Sequence, residues 1–184
     1  MAPLQLAVII GSTRAGRMAD RIADWFVEQA RRHDELAVTV VDLAGYDFPA
    51  RFPAEPTPAM RSFVRQVSRA EAFAVVTPEY NHSFPASLKQ AIDYAYDEWQ
   101  AKPVGFVSYG CGSVGMHAVD QLRTVFTALH AVTVRDVVGV DLLDGELTGQ
   151  VAEQLRQGAR VLLDELCWWG LALREGRAAR PYVS

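Results

Sequence analysis

The stretch Ala70-Glu71-Ala72-Phe73-Ala74-Val75-Val76-Thr77-Pro78-Glu79-Tyr80-Asn81-His82-Ser83-Phe84-Pro85 carries the deciding pattern. Residues 70–76 are a short apolar run and read as a buried strand. Ala86-Ser87-Leu88-Lys89-Gln90-Ala91-Ile92-Asp93-Tyr94, which follows, reads as a helix. Between them, two prolines bracket a Glu-Tyr-Asn trio, so a polar and aromatic loop is held stiffly at the carboxyl end of a strand. In an open α/β sheet, ligands bind at that end.

The same alternation continues in both directions. Strands are expected over residues 4–10, 36–41, 70–76, 104–109 and 131–138. Helices are expected over 18–32, 58–68, from about 85 to before Lys102-Pro103, over 115–129, and from 147 to about 173. Ile22, Ala23, Trp25, Phe26 and Ala30 share one face of the first helix, and Pro58 suits the first turn of the second. Residues 44–57 form a long loop containing Pro49, Pro53 and Pro56.

Five strands alternating with helices imply a parallel sheet covered on both faces. The first half alone admits a Rossmann-like or a flavodoxin-like reading. Five strands and a terminal helix fit the flavodoxin-like order 2-1-3-4-5 better than a six-stranded dinucleotide fold. The expected fold is α/β: a flavodoxin-like three-layer α/β/α sandwich on a five-stranded parallel sheet. Residues 1–175 are expected to form a single domain and 176–184 a polar C-terminal tail.

A chain of 184 residues with 50% hydrophobic content can bury a sizeable core as one domain. A net charge of −4 argues against nucleic acid or an anionic membrane as main partner, since both require a basic face. No apolar run approaches the roughly 18–20 residues that span a bilayer. The N-terminus has no basic region before its apolar run, so no signal peptide is expected, and the expected location is cytoplasmic. Cys111 and Cys167 are too few and too far apart for a disulfide framework. His33, His82, His117 and His130 lack metal-ligand spacing, and no metal site is expected.

The loop after the first strand reads Gly11-Ser12-Thr13-Arg14-Ala15-Gly16-Arg17-Met18. Glycines, hydroxyls and two arginines at a helix start suit a phosphate, because free amides, the helix dipole and charged donors converge there. The plainer alternative is an N-cap by Ser12 or Thr13 beside solvated arginines. Gly11 and Gly16 have the separation of a Walker A motif, but Arg17 and Met18 stand where Lys and Ser/Thr are required. Nucleoside triphosphate hydrolysis is therefore not expected.

The loop after the fourth strand reads Ser108-Tyr109-Gly110-Cys111-Gly112-Ser113-Val114-Gly115. Its glycines satisfy GxGxxG, yet the dinucleotide fingerprint belongs on the first strand–helix turn. They are read as letting the backbone approach a flat ligand, with a tight turn and close helix packing as the alternative. Asp42, at the end of the second strand, is given no role.

A phosphate grip, a polar-aromatic wall and a glycine floor suit flavin mononucleotide. Gly11-Ser12-Thr13-Arg14, Pro78-Glu79-Tyr80-Asn81 with Pro85, Leu88, Lys89 and Ala91-Ile92-Asp93, and Lys102-Pro103-Val104 with Gly110 and Gly112 resemble the NADPH-dependent FMN reductase family. That family includes small quinone, azo-dye and chromate reductases, and the resemblance covers roughly residues 4–140. It implies an FMN-binding domain of flavodoxin-like fold, NADPH or NADH as electron donor, a small-molecule electron acceptor, and a homodimer or homotetramer.

By position, the resemblance implies that Ser12, Thr13, Arg14, Arg17 and the Met18 backbone hold the phosphate. Pro78, Glu79, Tyr80 and Asn81 are then expected to meet the isoalloxazine ring and ribityl chain, and Ser108, Gly110 and Gly112 the pyrimidine side of the ring. Many members carry Ser-x-Asn where this chain has Arg17-Met18-Ala19, which shifts the phosphate grip toward charge.

In such chemistry the cofactor carries the reaction. No catalytic side chain is expected, and Glu79 is read as a positioning residue. The alternative function is a flavin-binding electron carrier or redox-sensing interaction protein without turnover. Cys111 is read as incidental, and His82 and His117 as polar contacts near the mouth of the site. Tyr94, Tyr96 and Trp99 are read as interface aromatics, with a place in the core as the alternative, and Trp168 and Trp169 as core or subunit contacts.

Overall fold

A computed structural model describes residues 2–143 and 149–183. Its five strands are β1 (Leu4–Ile10), β2 (Leu36–Asp42), β3 (Ala72–Pro78), β4 (Pro103–Gly110) and β5 (Val132–Asp141). All pair in parallel, in the order β2-β1-β3-β4-β5. The helices are α1 (Ala19–Arg31), α2 (Pro58–Arg69), α3 (Ala86–Asp93), α4 (Met116–Ala128) and α5 (Gly149–Ala179). The expected flavodoxin-like sandwich and strand order are both present.

Strand periodicity sorts the core into two layers. Leu6, Val8 and Ile10 of β1 face Phe26 of α1 and Leu162 and Leu166 of α5. The alternate residues Ala7 and Ile9 join Phe63 of α2, Leu88 and Ile92 of α3, and Leu122 and Phe126 of α4. β3 and β4 are buried throughout, while the edge strands β2 and β5 are partly open. That difference is expected when helices cover both faces of a parallel sheet. Gly105 in β4 permits the close seat of α5, since a Cβ there would stand 2.7 Å from Cδ1 of Leu162.

Pairing sets the level of the loops. Ile10 pairs with both Val76 and Asp42, Thr77 with Ser108, and Pro78 with Tyr109. The carboxyl ends of β1, β3 and β4 therefore lie level, and the order reverses between β1 and β3. A crevice at such a switch point is where this architecture binds ligands.

Several boundaries move. β3 spans Ala72–Pro78 rather than 70–76, and β5 reaches Asp141 rather than 138. Pairing with β4 continues through Thr77 and Pro78 of β3 and through Gly139, Val140 and Asp141 of β5, past the end of each unbroken apolar run. The third helix stops at Asp93, well before Lys102. There the Trp99 indole turns inward and donates to the carbonyls of Ile92 (3.1 Å) and Ala95 (2.9 Å), taking up the acceptors of the helix end. Trp99 is thus a core residue with 0% exposure, not an interface aromatic, whereas Tyr96 is 58% exposed.

The last helix runs to Ala179, past the expected end near 173, so the first residues of the expected tail are helical. Arg174 donates to the Ala2 carbonyl at 3.1 Å and Arg177 donates to that of Ala101, tying this extension to the body. The expected helix start at Leu147, the chain start at Met1 and the tail end at Ser184 lie outside the described residues.

Candidate functional site

Three loops meet above the carboxyl ends of β1, β3 and β4. In the first, Ser12 is fully buried, and its Oγ lies 3.1 Å from the Tyr80 hydroxyl. Arg14 is exposed, with its guanidinium carbon 4.7 Å from the centre of the Tyr80 ring. Among the described residues no carboxylate pairs with it. No side chain caps α1 at Met18, so its first amides lack a side-chain acceptor.

Arg17 has a different environment. Nη1 donates to Oδ1 of Asp42 at 2.8 Å, Nη2 to Oδ2 at 2.5 Å, and Nε to Asp20 at 2.9 Å, while Nη1 also reaches the Ser12 carbonyl. The Asp42 hydrogen bonds push the Arg17 pKa up, and in return Arg17 holds the Asp42 carboxyl below its usual range. The guanidinium expected to grip phosphate is thus engaged in closing the loop on β2. Asp42, to which the sequence assigns no role, is the anchor of this closure. The signal for a role was its register opposite Ile10, at the root of that loop.

The second loop turns sharply. Tyr80 N donates to the Ser83 carbonyl at 2.8 Å and Ser83 N to that of Tyr80 at 3.0 Å. Asn81 and His82 both take left-handed backbone angles, φ 50° and 60°. Positive φ at both central positions is the requirement of a type I′ turn, and Asn and His are among the non-glycine residues enriched in that region. Gln121 of α4 pins the turn, donating to the His82 carbonyl at 2.7 Å and accepting from Ser83 Oγ at 2.6 Å.

Glu79 points toward the start of α4. Its carboxylate accepts from the His117 amide and lies within reach of His117 Nδ1, both at 3.1 Å. Burial alone would raise the Glu79 pKa, but hydrogen bonds from Ser113 and His117 hold it below the usual range. The His117 ring stacks on that of His82, with centroids 4.1 Å apart.

In the third loop Ser108 is buried and donates to the Val114 carbonyl at 2.7 Å. Gly115, at φ 83°, lies so close to β4 that a Cβ would stand 2.7 Å from both Ser108 Cβ and Tyr109 N. Gly112 N donates to Asp141 Oδ1 at 3.1 Å.

The loops enclose an open cavity of about 500 Å³, within the range of small-molecule sites. Of the expected residues, Ser12, Arg14, Arg17, Met18, Pro78, Glu79, Tyr80 and Gly110 line it. Thr13 stays on the exposed rim and Asn81 at the exposed turn tip. Ser108 and Gly112 do not line it either: the Ser108 hydroxyl and the Gly112 amide are occupied within the loop and by Asp141. The lining also includes Ala15, Gly16, Tyr109, Cys111 and Leu142, which sequence reading passed over or set aside. Tyr109 was legible as a phenol ending a buried strand, and burial raises its pKa.

The fold makes this a flavodoxin-like α/β protein with an open cavity at its topological switch point. The chain belongs to the NADPH-dependent FMN reductase family, whose description it matches over residues 4–142. It is 36% identical over 132 residues to the NAD(P)H-dependent FMN reductase C4B3.06c of Schizosaccharomyces pombe, covering 66% of this chain and 64% of that one. The chain thus spans just under two thirds of that relative. A quinone reductase of Pseudomonas putida is 34% identical, with 63% of this chain and 67% of that protein covered. An oxidoreductase structure from Corynebacterium diphtheriae shares the fold with a TM-score of 0.79 at 19% identity, covering 94% of this chain and 99% of that one.

FMN is the cofactor that the family implies, and the residues present fit it. A buried hydroxyl, an arginine with no carboxylate partner among the described residues and an uncapped helix start form a donor set for a phosphate. At Gly16 a Cβ would meet nothing within 4 Å, so the main chain there is open to a ligand. Among the described residues, no helix is long and apolar enough to cross a membrane.

Proposed function

We propose that this chain is a cytoplasmic NAD(P)H-dependent oxidoreductase, with residues 1–175 as one FMN-binding domain. Bound FMN supplies two-electron chemistry, taking hydride from NAD(P)H and reducing a quinone, a flavin, an azo compound or a similar small acceptor. The observation that carries this reading is the convergence of Ser12, Arg14, Glu79, Tyr80 and Gly110 on one cavity of about 500 Å³ at the strand-order reversal.

Each residue has a task that follows from its contacts. Arg14 and the first amides of α1 bind the phosphate, with Ser12 beneath them. Arg17 holds the loop closed from Asp42 and leaves the direct charge contact to Arg14. Tyr80 and Pro78 form the wall, and Gly110 brings main chain to the ring edge. Glu79 fixes the glycine loop through α4. Thr13, Asn81, Ser108 and Gly112 act from the rim or from behind, Ser108 and Gly112 by shaping the loop. No side chain is assigned as acid, base or nucleophile.

The cavity is open to solvent, and a flavin held there with one face exposed would serve both substrates in turn, with ping-pong kinetics as the expected result. Exposed Phe52, packed on half-buried Tyr94, and exposed Tyr96 supply surface for a homodimer or homotetramer. The purified protein is expected to absorb at the flavin maxima and to bleach rapidly when NADPH is added without oxygen. Bound flavin that NADPH leaves oxidised would make the chain a carrier or sensor instead. A colourless protein that FMN cannot reconstitute would overturn the reading altogether.

A further inference from the structure

A second group of donors lies at the opposite, amino-terminal edge of the sheet. His33 follows α1, Glu35 immediately precedes β2, and Cys167 lies on α5. One donor atom from each falls within 4.8 Å of the others. Sγ of Cys167 is 3.7 Å from Oε2 of Glu35. In a tetrahedral zinc site, a thiolate sulfur at ~2.3 Å and a carboxylate oxygen at ~2.0 Å from the metal stand roughly 3.5 Å apart. That pair is already near its liganded spacing.

Asp164 adds a second, independent feature. Its Oδ1 is 3.3 Å from Nε2 of His33. With the Nε2 proton donated to a carboxylate, Nδ1 is the acceptor nitrogen, the arrangement that orients metal-binding imidazoles; it takes the Glu35 amide in a long contact of 3.4 Å, which a metal would have to displace. Asp164 and Cys167 are three residues apart on α5 and so share a face. The pattern is His-x-Glu on a turn facing Asp-x-x-Cys on a helix, which no local spacing in the chain reveals.

A plain thiol–carboxylate hydrogen bond is the simpler account of this cluster. It leaves a buried thiol beside a negative charge: burial and Glu35 push the Cys167 pKa up to about 11. A divalent cation reverses that electrostatic conflict. The other candidate group, Glu79, His82 and His117, is compact as well. Its two imidazoles are stacked 9° from parallel, so their in-plane lone pairs run side by side instead of converging. Glu79 is also already bonded to His117.

We propose that His33, Glu35 and Cys167 bind one divalent ion of the zinc class, with Asp164 orienting His33. Mixed sulfur, nitrogen and oxygen donors favour zinc over magnesium or calcium. Binding replaces the thiol proton, so Cys–SH and M²⁺ give Cys–S⁻–M²⁺ and one H⁺, with no change of oxidation state. The ion would clamp the α1–β2 turn to α5, a strand's length, roughly 20 Å, from the cofactor cavity. The proposal is therefore independent of the flavin reading.

The test is zinc titration of the chelator-treated, FMN-containing protein against a chromophoric chelator. One zinc per chain, about one proton released per zinc, and a raised melting temperature are expected. Cobalt should give a thiolate charge-transfer band. Cys167→Ser should abolish the band and weaken zinc at least tenfold. His33→Gln, near the surface, should weaken zinc similarly while leaving flavin absorbance unchanged, and it serves if the cysteine variant does not fold. The double variant His82→Ala/His117→Ala should bind zinc like the parent. Absence of stoichiometric binding, binding that survives both Cys167→Ser and His33→Gln, or binding lost in the His82/His117 variant would each overturn the proposal.

Discussion

Arg17 grips Asp42 with both terminal guanidinium nitrogens, at 2.8 and 2.5 Å, across 25 residues of sequence. The pair joins the loop after β1 to the end of β2, and the Arg17 side chain is only 9% exposed. Asp42 is more open, at 36%, so solvent screens much of the charge energy. Asp42→Asn is expected to cost about 1 kcal/mol in urea denaturation and to weaken FMN severalfold by loosening the loop. Arg17→Lys should not restore binding, because an ammonium cannot form the planar fork. Full FMN affinity in Asp42→Asn would detach this pair from the site.

Arg14 is the complementary case. It is exposed and makes no ion pair among the described residues, so Arg14→Ala should leave the denaturation midpoint within about 0.5 kcal/mol of the parent. FMN retention, followed by fluorescence on dilution, should fall at least tenfold, consistent with about 1.5–3 kcal/mol for a hydrogen bond to a charged group. A variant that retains flavin like the parent would remove Arg14 from the phosphate grip.

Glu79 couples the wall of the cavity to α4. Its carboxyl sits below its ordinary value of 4.5. Its stabilisation is therefore present above the unfolded-state pKa and is lost as pH falls through the lower folded-state value. Glu79→Gln should cost about 1 kcal/mol near neutrality, the scale of a helix cap. The gap from the parent should close under acid conditions. Urea midpoints measured across pH check this, and a gap that widens in acid would contradict it.

Gly112 and Gly115 separate conformational strain from collision. Both have positive φ, 77° and 83°. A methyl group at Gly112 meets nothing within 4 Å, so Gly112→Ala should cost only about 1 kcal/mol. At Gly115 the same change collides with Ser108 and Tyr109 N at 2.7 Å. Adding roughly 1–3 kcal/mol for overpacking, Gly115→Ala should be clearly the less stable and should lose flavin. Equal midpoints for the two variants would mean that α4 shifts freely.

Lys102 gives a slope at high pH. It is buried and donates to the carbonyls of Val67 and Ser68 at 3.0 and 3.1 Å, at the end of α2. Burial lowers its pKa from 10.5 to about 8. Between those values the unfolded chain binds more protons than the folded one, so this group makes stability rise with pH. In Lys102→Met that component should vanish, which parallel urea titrations of parent and variant will read out.

The chain's local chemistry was enough to define the strands, the helices and the three ligand-facing loops. Alternation of apolar runs is a short-range property, and so are the glycines and prolines that shape a turn. Even Pro58 at the start of α2 is legible in this way. Many of the residues that carry the family resemblance lie on those same loops, and the rest on α3 and β4 beside them, which is why the cofactor class was readable as well.

Tertiary structure decided where the side chains on those loops point. Arg17 and Arg14 look alike in sequence, yet one is captured by Asp42 and the other remains over Tyr80. Trp99 follows an amphipathic helix and looks like a surface anchor, but it turns into the core because the end of α3 offers its indole two carbonyls. Ser108 turns to Val114, Tyr109 reaches the cavity, and Cys167 meets Glu35 across 132 residues. A side chain's partner is set by which distant strand ends and helix faces the sheet order brings together, and only the folded chain contains that information.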